Sequence, residues 1–170
     1  MSKLEIVTAV FEHNEWANVL VLDAAAGLSE DELTKERGPD CGSLQDVLMH
    51  ILSSHVFMLM VAGQPPLEMA KVEPGKIMAA MRESYDRAHG GIREMVGSLS
   101  DESLEEPMTL RNPDQDGGWR TWERARWQVM TSMGTHSMQH RGEAALILTS
   151  LGNSPGEIDY SYWNWRTRED

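Results

Sequence analysis

Cysteine is almost missing from this chain: Cys41 stands alone among 170 residues. That excludes an internal disulfide and any site built on paired thiolates, and it fits a reducing cytoplasm. Positive charge is also scarce. Fifteen Lys and Arg face 27 Asp and Glu, a formal net charge of -12, which argues against a nucleic-acid backbone or an anionic membrane as partner. No uninterrupted apolar run opens the chain, because Lys3 and Glu5 break it; no signal peptide is expected, and a cytoplasmic location is. The longest stretch without charge, Val47 to Leu67, holds His50, Ser53, Ser54, His55, Gln64 and Pro65-Pro66. Those residues suit a buried helix of a water-soluble protein, not a membrane span. Phosphate-loop and serine-nucleophile signatures are lacking too. The length fits one domain, residues 1–170, with room for a real core.

What is present reads as helix. A first pattern from about Lys3 to Ala26 places Ile6, Val10, Trp16, Leu20 and Val21 on its apolar face and ends at Gly27. Ser29-Glu30-Asp31-Glu32 has the form of a capping box and predicts a short extra turn, with the acids from Glu30 to Glu36 forming a solvated face. Ser43 then caps a second long helix reaching about Ala62. A third, about Gly75 to Leu99, is amphipathic around Ile77, Met81, Tyr85 and Ile92, despite the helix-weakening pair Gly90-Gly91. Between Pro107 and Thr121 the pattern changes: Met108-Thr109-Leu110 and Trp119-Arg120-Thr121 flank a turn-rich cluster, predicting a small hairpin or irregular excursion. A fourth helix is expected to start at Thr121 and stop at Gly152. The aromatic tail with Tyr160, Tyr162, Trp163 and Trp165 is expected to fold back on the rest. Four long helices with no large sheet predict an all-α four-helix bundle. Met81, Met130 and Met133 read as core filler.

The chemistry sits in the fourth helix. His136 and His140, four residues apart, share one face with Trp122, Ala125, Val129, Met133, Ala144, Ile147 and Leu151. Two imidazoles on that stripe can share one metal ion, and a useful site needs a third ligand. His89 lies in a charged neighbourhood and is expected to be solvated; His13 falls on a half-polar stretch and is left open. On the second helix, the apolar face defined by Leu44, Val47, Leu48, Ile51, Leu52, Met58 and Leu59 includes His55, while His50 lies far round the helix from it. Periodicity alone selects His55. Cys41 precedes this helix and reads as an ordinary accessible thiol, since no cationic partner is evident.

Three stretches carry a resemblance: Asn14-Glu15-Trp16-Ala17-Asn18 with the later Leu28-Ser29-x-x-Glu32-Leu33; Ser43-Leu44 followed by Leu48-Met49-His50-Ile51; and His136-x-x-x-His140-Arg141-Gly142-Glu143, continuing to Leu148 and Leu151-Gly152. In this order and spacing the chain resembles the DinB-like (DNA-damage-inducible) metal-dependent bundle proteins. The resemblance implies four helices arranged up-down-down-up, often as a homodimer, with a divalent ion held by three histidines. Those positions here are His50, His136 and His140, so the resemblance and the periodicity disagree about the second helix. His55 and Trp16 would then line the pocket. Glu143 stands where the family often has glutamine, either steadying His140 or facing water.

Three neutral imidazoles suit zinc or nickel and leave a coordination position open, as in catalytic and not in closed structural sites. Such an ion lowers the pKa of a water or a thiol. The function that the resemblance implies is a divalent-metal-binding bundle, acting as a transferase or isomerase that uses a low-molecular-weight thiol, with hydrolysis by a metal-bound water as a variant. A non-catalytic metal-binding or stress-response dimer, and a bundle whose histidines merely pack, are the alternatives.

Overall fold

The computed structural model describes residues 1–38, 42–114 and 116–166; Cys41 lies outside them. In chain order the elements are α1 (Lys3–Ala25), α2 (Glu30–Thr34), α3 (Leu44–Val61), α4 (Ile77–Gly97), α5 (Asp101–Glu105), β1 (Pro107–Pro113), β2 (Trp119–Ala125), α6 (Arg126–Ser150) and α7 (Tyr160–Arg166). Local chemistry explains most of the starts. Ser2, Ser29, Ser43 and Ser100 each accept from the backbone N–H three residues on, and the side chain at that position reaches back to the cap. Each such box satisfies two otherwise orphaned donors and stabilises its helix by about 1 kcal/mol. α4 has no cap of its own. Glu30 supplies one from α2, its carboxylate accepting from Gly75 N–H and Ile77 N–H, both at 3.2 Å. The acid expected only to face water thus ties the short helix to a long one.

α1 packs against α6 and α4, and α3 packs against the same two, so the ring runs α1–α6–α3–α4. One end of the core gathers Val21 and Leu22 from late α1, Leu44 and Leu48 from early α3, Met81 and Tyr85 from early α4, and Ala144 and Leu148 from late α6. The other end gathers Val7 and Phe11, Met58 and Leu59, Ile92 and Met95, and Val129 and Met130. α1 and α6 therefore run one way and α3 and α4 the other, which is the up-down-down-up arrangement. By length and composition α3 is apolar enough to cross a membrane, but nine of its residues are buried in this core.

Close approach between helices depends on glycine at two places. A Cβ on Gly134 of α6 would run into Val10 Cγ1 of α1, a branched and stiff side chain. A Cβ on Gly91 would sit 3.1 Å from Leu59 Cδ1, so the glycine that weakens α4 locally also admits a neighbour.

Two expectations about faces and boundaries are corrected. The predicted hairpin exists, β1 and β2 pairing antiparallel with Leu110 opposite Trp122. It extends through Ala125, however, and α6 begins at Arg126, not Thr121. Arg126 N–H donates to Glu106 O at 2.9 Å, closing the hairpin base just where the helix starts. Trp122 consequently lies on a strand and is exposed. In α1 the buried face is Val7, Phe11, His13, Asn14, Ala17, Asn18, Val21, Leu22 and Ala25; Ile6 is exposed, and Val10, Trp16 and Leu20 are only half-buried. Hydrophobicity misplaces this face because two asparagines and a histidine occupy it. The aromatic tail does return: His13 Nε2–H donates to Ile158 O at 3.0 Å, and the Tyr160 and Trp163 rings meet the His13 ring edge-on.

Candidate metal centre

His50 comes from the middle of α3, and His136 and His140 from successive turns of α6. They meet on the outward side of the α3–α6 pair. Their ligand nitrogens all lie within 4.8 Å of one another, and His50 Nε2 is 3.1 Å from His136 Nε2. The three rings stand edge to face, with centroids 4.4–5.1 Å apart. His50 is exposed and the other two are half-buried. Burial is the main cause lowering the His136 pKa, with the neighbouring His140 and His50 rings adding to it; the neutral ring that a metal requires is thereby favoured.

The donor set fits a divalent ion. Two nitrogens on a tetrahedral ion at about 2.0–2.1 Å stand about 3.3 Å apart, close to the separation of the two Nε2 atoms. His140 Nδ1 is 2.7 Å from Glu143 Oε2, an arrangement that fixes the tautomer and leaves Nε2 as the donor atom facing the other rings. Beside the trio runs an open groove of about 510 Å³, lined by Ser53, Ser54, Phe57, Ser132 and Met133 with His50 and His136.

The conflict over α3 resolves into two different places. His55 is buried, as periodicity predicts, but it faces the bundle interior: its Nδ1 donates to Ile51 O at 2.8 Å, and its Nε2 is 3.5 Å from Asn18 Nδ2. It does not join the trio. The core stripe of α6 is Val129, Met130, Gly134, Ser137, Arg141, Ala144 and Leu148, so His136 and His140 flank that stripe and do not lie within it. Trp16 is half-buried against the His13 ring, 5.8 Å between centroids. His89, expected in solvent, is 3 % exposed.

Sequence reasoning missed a second polar cluster. Arg141, 1 % exposed, donates from Nη1 to Asn14 Oδ1 and, at 3.2 Å, to Asn18 Oδ1. Asn18 Nδ2 reaches His89 Nε2 at 3.1 Å. Burial pushes the His55 and His89 pKa values down to about 4 and that of Arg141 down to about 10, and it raises that of Tyr85, whose hydroxyl donates to Leu48 O at 2.7 Å. The available signal was the i, i+4 pair Asn14 and Asn18 flanking the buried Ala17, two amides on the inward side of a helix.

A family model described as the DinB family matches residues 1–170. No curated protein matches the chain.

Proposed function

The chain belongs to the DinB family, and from that membership and the trio's geometry we propose that His50, His136 and His140 hold one divalent ion, zinc or nickel, at a site that serves metal-assisted chemistry on a small molecule. The observation that carries this is the convergence of three imidazole nitrogens from two helices within 4.8 Å beside an open groove. Such an ion supplies Lewis acidity, lowering the pKa of a thiol or water brought beside it. The protein's own part is orientation. Glu143 holds the His140 ring, and α3 and α6 fix the three rings on a rigid frame. Ser53, Ser54 and Ser132 offer hydroxyls along the groove, and Phe57 and Met133 offer an apolar wall. The reaction class this supports best is a transfer or isomerisation that uses a low-molecular-weight thiol, with hydrolysis as a variant.

A second reading, metal binding without turnover, draws on one observation: among the described residues, the only carboxylate bonded to the trio is Glu143, already engaged with His140. Exposed Leu146 and Met138 on α6 support a homodimer as the working form, and the single cysteine supports a cytoplasmic setting.

Protein purified without chelator should carry close to one divalent ion per chain by elemental analysis. Metal content near zero that adding zinc or nickel does not raise would overturn the reading. Turnover in a panel of thiols and electrophiles, lost in His140→Ala, divides enzyme from binder.

A further inference from the structure

On the side of the ring opposite the trio, α1 and α4 enclose a cavity of about 370 Å³, within the roughly 300–1,000 Å³ typical of small-molecule sites. Its walls are Leu4, Phe11, Ile92, Val96 and Leu99, and its lining includes His55 and His89. The hydrogen-bond bookkeeping there has one loose end. Arg141 donates to the Asn18 amide oxygen, which fixes the amide so that its NH₂ points at the two imidazoles. Both Nε2 atoms are therefore acceptors, and both neutral rings carry their proton on Nδ1. His55 spends that proton on Ile51 O. His89 Nδ1 has no hydrogen-bond partner among the described residues, and the residue as a whole is 3 % exposed. His89 lines the cavity, so a ligand there can accept from this unpaired donor.

Charge sharpens the choice of occupant. Behind the floor stands Arg141, bonded only to amide oxygens, its Nη2 without a partner and with no carboxylate against it among the described residues. At the rim are Glu12 and Glu15, the latter paired with Arg93. An anionic head is thus favoured at the floor and disfavoured at the mouth.

We propose that this cavity is a second binding site, separate from the trio, for a small organic monocarboxylate. Its oxygen accepts from His89 Nδ1–H, and its short apolar chain or ring lies among Leu4, Phe11, Ile92, Val96 and Leu99. Thr8, half-buried on the wall, offers a hydroxyl that makes no side-chain hydrogen bond among the described residues. The site does not depend on whether the trio holds a metal.

Calorimetry and imidazole ¹⁵N spectra of the full chain titrated with octanoate and with octan-1-ol test this. One octanoate per chain is expected, shifting the His89 Nδ1 resonance and leaving those of His50, His136 and His140 in place. Octan-1-ol should bind at least about tenfold more weakly, as should octanoate to His89→Phe, the loss typical of one hydrogen bond to a charged group. Thr8→Phe, which fills the cavity and leaves both histidines in the sequence, should abolish binding, and it decides the matter if His89→Phe does not fold. No octanoate binding, binding unchanged in Thr8→Phe, octan-1-ol as tight as octanoate, or a shift at the trio in place of His89 would each overturn the assignment.

Discussion

Five of the six histidines fall into two groups that use the same side chain in opposite ways. His50, His136 and His140 present nitrogens to one another on the outer side of α3 and α6, at a place water reaches. His55 and His89 lie sealed in the core, held by Asn18 and ultimately by Arg141. α3 and α6 contribute to both groups, joined in the sealed one by His89 of α4 and Asn18 of α1. α3 carries His50 and His55 five residues apart, which turns them to different sides, and α6 carries His140 next to Arg141, about 100° round. Position on the helix therefore decides what an imidazole does. In the open group each ring keeps a nitrogen for an outside ligand. In the sealed group both rings meet the Asn18 amide and are kept neutral by burial, and among the described residues only His89 keeps an unpaired Nδ1–H.

The largest effect separating the two groups should be that of acid. The sealed rings have folded pKa values near 4 against an ordinary 6.5. Between those limits the unfolded chain takes up protons that the folded chain refuses, so their contribution is complete above pH 6.5, falls as pH drops, and levels off below about 4. Urea unfolding at pH 7 and pH 5 should differ by roughly 3–4 kcal/mol from this pair, and the difference should shrink in His89→Gln. Equal midpoints at the two pH values would mean that burial does not hold His55 and His89 neutral.

His136→Ala should act the other way round. Losing one of three ligands is expected to weaken metal binding by about 3 kcal/mol or more, a hundredfold or greater, while metal-free protein keeps its helical circular dichroism and melting temperature. A collapsed fold would show that the open group is structural after all. Asn18→Leu is the mirror experiment, stranding Arg141 and both sealed imidazoles without their shared partner. It should cost on the order of 2–3 kcal/mol of stability and leave metal content per folded chain unchanged; metal loss would couple the two groups. The smallest effect belongs to Glu143→Gln, which keeps the hydrogen-bonding shape and removes the charge beside His140. Zinc affinity should fall about tenfold, read by competition with a chromophoric chelator, and an unchanged affinity would leave Glu143 as a surface residue only.

Much of this was legible in the residues because it is local. Ser29 and Ser43 announce their helices through partners three residues away, and the turn between Leu110 and Trp119 announces the hairpin. The DinB resemblance placed His50 beside His136 and His140, where periodicity preferred His55. Periodicity was answering a different question, namely which ring enters the core. It failed for His89 because Arg87 and Arg93 colour the neighbourhood as polar while their own charges pair with Glu83 and Glu15, and because the local weakness of Gly90-Gly91 hides the packing of Leu59 against Gly91. It failed for α1 because a buried amide scores as polar whatever it is bonded to, and the partner of Asn14 and Asn18 is more than 120 residues away. The start of α6 was misjudged because Trp122 and Ala125 continue the helical spacing by chance while their backbone pairs with β1.

The contact between Gly134 and Val10 carries a lesson for homologous chains. Since α6 can approach α1 this closely only with a hydrogen at position 134, any relative bearing alanine there must yield space from the facing helix, through a smaller side chain at the equivalent of Val10 or a wider spacing of the two axes. Variation at these two sites should be reciprocal, and a single replacement introduced without its counterpart should spread the pair and with it the platform on which the α6 imidazoles stand.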